Sequence, residues 1–241
     1  MPEIPQATRA DRAAAKIGYL SETDVFRDLT APELAELDRT TIMQTCERGR
    51  VFYLPGQTGE VLFILKKGRV QLYRLSAEGR KLVFATLDAG TVFGEMSLIG
   101  QGMYDSFAEA IESCTICVMS RRDVERLLQE KPHLGIRLLE LVARRLQEVE
   151  VQLEDVAFRS VPARLAALLV RLAADGAGDV PQGAVIDGLT HQDLADMLGV
   201  YRETVTTTLA ELRGTGIISV ARRRQVIHDP QRLRDVADPG H

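Results

Sequence analysis

At 241 residues, 45% of them hydrophobic and 27% charged, the chain is long enough for two modest domains and apolar enough to give each a core. A formal net charge of −4 excludes a uniformly basic nucleic-acid binder and confines any such surface to a local patch. Three cysteines (Cys46, Cys114 and Cys117) are too few for a disulfide scaffold and fit a reducing compartment; with no apolar run near the ~18 residues a bilayer needs and no basic-then-apolar leader, a soluble cytoplasmic protein is expected.

Residues 1–22 read as a flexible arm with a turn or two of helix around Arg9–Lys16. From Thr23 to Leu37, Leu29, Leu34 and Leu37 with Pro32 and Glu33 predict a short helical pair that lies as a lid on the following domain. From Arg48 to Ser120, short apolar runs (51–54, 61–65, 70–75, 81–87 and 114–119) alternate with turns such as Pro55-Gly56, Lys67-Gly68 and Asp88-Ala89-Gly90. Regularly spaced short strands of this kind predict an all-β sandwich, roll or barrel, and their connections are too short for βαβ crossovers, which need ~10–12 residues.

Helical character begins at Arg121, with Val124, Leu127 and Leu128 in a short helix that stops at Lys131-Pro132. A long helix is predicted from Pro132 to Phe158. Leu139, Val142, Leu146, Val149, Leu153 and Val156 recur along it in a 3-4-3-4-3 pattern, the seam of a coiled coil and hence a dimer interface. A second stripe, Leu134, Leu138 and Leu141, suits docking on the β domain. Phe158-Arg159-Ser160-Val161-Pro162 is expected to break the long helix, because the residue before proline is pushed out of the α region. A helix at 163–174 and a loose loop at 175–188 follow.

Leu189 to Leu212 then reads as two short helices around a tight turn. Thr190 with Asp193 forms a capping-box-like start, Gly199 suits a turn that needs positive φ, and Leu194, Leu198, Val205, Leu209 and Leu212 supply the buried faces. This is the pattern of a helix-turn-helix, whose second helix enters the DNA major groove by its N-terminal residues. Tyr201, Arg202, Glu203 and Thr204 open that helix; Arg202 suits guanine O6 and N7, and Glu203 suits cytosine N4. Thr206 and Thr207 lie one turn on, within reach of bases, while Thr190, His191, Gln192 and Thr204 suit phosphates. Strands at 217–221 and 225–228 around Arg222, Arg223 and Arg224 predict a basic-tipped wing, followed by a polar tail with one helical turn.

Phe93-Gly94-Glu95-Met96-Ser97-Leu98, Ala143-Arg144-Arg145-Leu146, Phe158 at a hinge and Arg202-Glu203-Thr204-Val205 carry a resemblance. With the roll glycines, they make the stretch from about Thr23 to Asp229 resemble the CRP/FNR family of bacterial transcription regulators. The resemblance implies an α+β chain: a cyclic-nucleotide-binding-like β-roll (a jelly roll, 23–131), a dimerisation helix (132–158), a winged helix-turn-helix DNA-binding domain (159–229) and a tail (230–241). It also implies a homodimer on two-fold-related double-stranded DNA half-sites, with contacts to RNA polymerase and none to a membrane.

The effector pocket departs from the family pattern. By the resemblance its positions are Phe93, Gly94, Glu95, Met96, Tyr104, Asp105, Val149 and Glu150. Cyclic-AMP-responsive members place an Arg-Ser pair where Tyr104 and Asp105 stand, and hydroxyl residues where Val149 and Glu150 stand. A buried phosphate needs a cation or several N–H donors, whereas 100–112 carries Asp105, Glu109 and Glu112 with no Lys or Arg. Cyclic AMP held in the usual way is therefore not expected. Cys46 stands alone rather than in an iron–sulfur cluster, and Cys114 and Cys117, three apart on a strand, point to opposite faces. Met96 is the one soft ligand at the haem position, and none of the four histidines precedes Lys131. An unfamiliar small effector and no effector at all both stay open, and no cofactor or metal is expected.

No Ser/His/Asp set, metal-ligand spacing or phosphate-cradling loop is present, so an enzyme is not expected. The alternative, a ligand-binding signalling module that docks a protein instead of DNA, would call for exposed apolar or aromatic anchors on the second helix; Arg202, Glu203 and the arginine tip favour DNA. Thr207 stands where a second arginine is usual in the family and Thr208 where an apolar residue is usual, predicting a related half-site with altered preference at the position that arginine would read, and a less apolar helix back.

Overall fold

The computed structural model describes residues 23, 25–57, 59, 61–95, 106–174 and 179–238. The N-terminal arm, Met96, Tyr104 and Asp105 lie outside them. The chain divides into two compact units, 1–73 with 84–146, and 74–83 with 147–241.

In the first unit a turn at 25–28 leads to α1 (Ala31–Thr40), so the expected helical pair is a turn and one helix. Thr30 caps α1 through a box in which Glu33 Oε2 accepts from the Thr30 amide (2.7 Å) and hydroxyl (2.8 Å). Eight strands follow: β1 (Ile42–Cys46), β2 (Val51–Tyr53), β3 (Val61–Lys67), β4 (Val70–Leu75), β5 (Lys81–Leu87), β6 (Val92–Phe93), β7 (Phe107–Ala110) and β8 (Cys114–Ser120). They form two four-stranded sheets, ordered β1-β8-β3-β6 and β2-β7-β4-β5. Sequence periodicity missed β1, which is mostly exposed, β6, which has two residues, and β7, whose Phe-Ala-Glu-Ala buries only small alanines on its inner face.

Tyr53, Phe63, Leu65, Val70, Leu72, Phe93, Ala108 and Ile116 fill the space between these sheets. The other face of β3 and β8 (Leu62, Ile64, Cys117, Met119) packs under Val25, Phe26, Leu29, Leu34 and Leu37, as the lid reading expected. Val124 of α2 (Arg121–Glu130) and Leu134 and Leu141 of α3 (Pro132–Phe158) complete that layer, with Leu138 at its margin. The second stripe of the long helix thus docks on its own roll. The seam stripe stays exposed: Leu139 68%, Val142 39%, Leu146 57%, Val149 43%, Leu153 68% and Val156 57%.

α3 ends at Phe158, within the expected break, but the residue before the proline is not the one driven out of the α region. Ser160 takes the extended conformation (φ −65, ψ 159) and caps α4 (Val161–Ala173), and Val161 is already helical. Pro162 at the second helical position loses nothing, since first-turn N–H groups have no partner within a helix.

In the second unit, α4 is followed by β9 (Val185–Asp187), α5 (His191–Leu198), α6 (Arg202–Gly214), β10 (Ile218–Ala221), β11 (Arg224–Ile227) and α7 (Pro230–Ala237). Two expectations are corrected. The region read as a loose loop contributes β9, which pairs with β11, so the wing is a three-stranded sheet ordered β10-β11-β9. The region read as a tail with one turn is α7, capped by Asp229 and packed on α4, with Leu233 fully buried.

Candidate nucleic-acid interface

The helix-turn-helix is built from local bonds upward. Thr190 Oγ1 accepts from the Asp193 amide at 3.1 Å, while Asp193 Oδ2 accepts from the Thr190 amide (2.7 Å) and hydroxyl (2.6 Å). The hydroxyl of Thr190 is thereby spent on starting α5. Gly199 ends α5 in the left-handed region (φ 66), where a Cβ would also come within 2.9 Å of Leu82. Leu194, Ala195, Leu198, Val205, Leu209 and Leu212 join Leu165, Leu169, Ile218 and Ile227 in one core, which fixes α6 against α5 and α4. Arg164 of α4 adds a polar tie, its Nη2 donating to the Leu198 carbonyl; burial pulls its pKa down from the ordinary value.

This scaffold presents Tyr201, Arg202 and Glu203 exposed at the start of α6, with Thr206 and Thr207 exposed one turn on and Thr204 half-buried. Thr208 is buried, 5% exposed, and its hydroxyl donates to the Thr204 carbonyl at 2.9 Å, which makes the back of the helix less apolar, as expected. The Thr206 hydroxyl donates to the Arg202 carbonyl at 3.0 Å and lies 2.9 Å from His191 Nδ1, so that nitrogen acts as the donor. His191 therefore ties the two helices together. Gln192 donates to Asp196 at 2.7 Å; burial raises the Asp196 pKa, partly offset by Gln192 and Lys81.

The three wing arginines separate in role. Arg223 has the left-handed φ of 59, and its Nε and Nη2 donate to the Gly188 carbonyl at 3.0 and 2.7 Å. It is a fastener between the wing tip and the strand end before α5. Arg222 and Arg224 are exposed on either side of it.

The second unit also brings up cations that no local pattern marked. The Arg80 guanidinium lies 5.1 Å from the centre of the Tyr201 ring, a cation–π distance. Glu78, Arg80, Lys81, Gln192, Asp196 and the start of α6 (Tyr201–Glu203) line a cleft of about 400 Å³.

In the first unit, the pocket residues are only partly as expected. Phe93 is fully buried and stacks on Phe63 at 4.9 Å, so it is core rather than lining. Gly94 lies against that same Phe63 ring, 3.1 Å from where a Cβ would stand. Glu95 pairs with Arg145 of α3, which the sequence reading had placed only within a helix motif: Arg145 Nη1 reaches Glu95 Oε1 and Nη2 reaches the Val92 carbonyl, each at 2.5 Å. Both side chains are about five-sixths buried, and Glu95 Oε2 is buried with no hydrogen-bond partner. Val149 and Glu150, on the part of α3 that clusters with the second unit, are exposed. Among the described residues, no group of His, Cys, Asp and Glu could hold a metal ion, and no helix is long and apolar enough to cross a membrane.

Comparison with known proteins agrees with this geometry. Residues 43–131 match the cyclic nucleotide-binding domain, and residues 163–236 match the Crp-like helix-turn-helix domain. The chain is 31% identical over 195 residues to the global nitrogen regulator of Synechocystis sp., covering 80% of this chain and 87% of that one. It is 29% identical over 216 residues to the CRP-like cAMP-activated global transcriptional regulator of Mycobacterium tuberculosis, covering 89% and 96%. A CRP/FNR-family regulator from Thermus thermophilus superposes with a TM-score of 0.68 at 26% identity, over 82% of this chain and 98% of that one. With a nucleotide-binding-type roll, a Crp-like helix-turn-helix and relatives that include global and transcriptional regulators, the chain belongs to the CRP/FNR family and is a DNA-binding transcription regulator.

Proposed function

We propose that the protein acts in the cytoplasm as a homodimer, pairing along the Leu139–Val156 seam and placing two α6 helices on half-sites about one turn of DNA, ~34 Å, apart. The observation that carries this reading is the two-sided character of α3. Leu134 and Leu141 are only 1% and 6% exposed, while six seam residues on the same helix stay 39–68% exposed in the single chain. A contiguous apolar stripe of that length on a water-exposed helix calls for a partner helix.

Arg202 and Glu203 read base edges, with Thr206, Thr207 and Tyr201 beside them. His191, Gln192 and Thr204 lie at the phosphate backbone, Thr190 serves them by starting α5, and Arg222 and Arg224 bring the wing to phosphates further along. The family relationship supports a contact with RNA polymerase. It also supports a non-enzymatic role: regulation through the hinge at Phe158–Pro162, where the populations of two arrangements shift.

Cyclic AMP is not held in the usual manner. The basic side chain that reaches Glu95, Arg145, is already paired with it, and a phosphodiester would have to displace that carboxylate. The regulator answers a different small molecule at Glu95–Arg145, or acts without one. Selection from random-sequence DNA by the full-length protein, with and without cyclic AMP, tests the whole reading. The expected result is a two-fold site with half-sites one turn apart, unchanged by the nucleotide. A monomeric site would overturn the dimer, and a site that emerges only with cyclic AMP would overturn the pocket assignment.

A further inference from the structure

β1 and β8 run antiparallel with Cys46 directly opposite Cys114. Directly opposed residues of an antiparallel pair project to one face, with Cα atoms about 4.5–5.5 Å apart; a disulfide spans ~4.4–6.8 Å. Both thiols accordingly belong to the core between the two sheets, Cys114 buried within it and Cys46 packed at its margin. Cys117 sits in the other core, under the lid. Cys46 is half-buried, at the end of β1 beside the exposed Glu47, whereas Cys114 is 2% exposed.

The surrounding backbone holds this register. Gly49 and Ala110 donate to the Ala110 and Arg50 carbonyls at 2.7 and 2.9 Å, and the Ser113 hydroxyl donates to Glu47 at 3.2 Å. The Cys114 sulfur rests against Gly68, 3.3 Å from the Arg69 and Glu112 carbonyls, to either of which its single S–H can donate.

We propose that Cys46 and Cys114 form a peroxide-responsive dithiol that closes into a cross-strand disulfide. Hydrogen peroxide reacts with the Cys46 thiolate: the peroxide O–O bond breaks, a sulfur–oxygen bond forms, and hydroxide leaves, giving the sulfenic acid. The Cys114 sulfur then attacks the Cys46 sulfur. The S–O bond breaks and the hydroxyl leaves as water with the Cys114 proton, so two thiols are oxidised and one peroxide is reduced to two waters. The division of labour follows from access. The oxidant reaches the half-buried Cys46, while Cys114 is inside; burial, with the neighbouring Cys46 adding to it, pushes the Cys114 thiol up to about 11, so Cys46 is the thiol that meets the peroxide.

The test uses the full-length protein, reduced, freed of reductant, treated with a small excess of hydrogen peroxide, then alkylated under denaturing conditions and mapped without reduction. The expected result is a peptide pair joining Cys46 to Cys114 within one chain, Cys117 alkylated, and full reversal by dithiothreitol. Cys117→Ser should keep the link and Cys46→Ser should abolish it. In Cys114→Ala a dimedone adduct should appear at Cys46. Should that variant not fold, the wild-type map decides alone. Conversion of Cys46 to sulfinic acid with Cys114 still alkylatable, a link through Cys117 or between chains, or no reaction at Cys46 would each overturn the proposal.

Discussion

Replacing Val149 by aspartate tests the seam where its geometry is most demanding. In the single chain Val149 is 43% exposed, so covering the remainder in a parallel pair is worth about 1 kcal/mol per chain, and the substitution forfeits it on both sides. In a two-fold pair the new carboxylates face one another; at ~5 Å and an effective dielectric of about 20 they repel by about 3 kcal/mol. Together these effects amount to about 5 kcal/mol, a dimer roughly 10³–10⁴-fold weaker. Because the position is exposed and helical, the single chain should keep its circular dichroism spectrum. Sedimentation equilibrium over a concentration series should show monomers for Val149→Asp and wild-type dimers for Val149→Leu, and the aspartate variant should lose its affinity for a full operator while keeping weak half-site binding. A Val149→Asp protein with an unchanged dimer dissociation constant would refute the pairing along this stripe.

Arg202→Ala should remove a two-bond contact to guanine worth ~1–3 kcal/mol of discrimination. Random-sequence selection should then show one degenerate position per half-site, and unchanged selectivity would mean that α6 docks differently. Arg222→Ala should weaken binding to all sequences alike and lower the salt slope by about 1 per chain, as read by anisotropy titrations at several salt concentrations. Arg223→Ala should mainly lower thermal stability, since its guanidinium is turned onto the Gly188 carbonyl; equal salt-slope losses in both variants would refute that division. Glu33 is held at about 2 by its bond to Lys131 and then by those to Thr30. A carboxyl whose pKa is lowered by folding contributes stability that is complete above its ordinary value of 4.5 and drains away as the pH falls toward 2. Urea unfolding should therefore show Glu33→Gln less stable than wild type at pH 6, with the gap closing near pH 2; a gap independent of pH would refute the pairing.

Much of the local structure was legible because its signals are local. The 3-4 spacing along Leu139–Val156, the capping box at Thr190 and Asp193, and Gly199 at a left-handed turn each depend on residues within a few positions of one another. So did the opposite facing of Cys114 and Cys117, which fall in the two separate cores. The misreadings were equally physical. The break expected at 158–162 is present, but Pro162 is not its cause: a proline within the first turn costs no hydrogen bond, Val161 is helical, and Ser160 is the extended residue. β9 has three residues and α7 has eight, too few for periodicity to declare them, and both exist because β11 and α4 offer them a surface.

By itself, the sequence determined the order of the parts: a glycine-punctuated roll, a helix with two apolar stripes, and a helix-turn-helix led by Arg202 and Glu203. Tertiary structure decided how distant groups are spent. Arg145 neutralises Glu95 from 50 residues away, Arg223 becomes a fastener rather than a free charge, Arg80 covers Tyr201, and Cys46 acquires Cys114 as a neighbour. The physical reason is range: helix and turn preferences are set by nearest neighbours along the chain, whereas ion pairs, strand register and thiol proximity depend on which segments the hydrophobic core brings side by side.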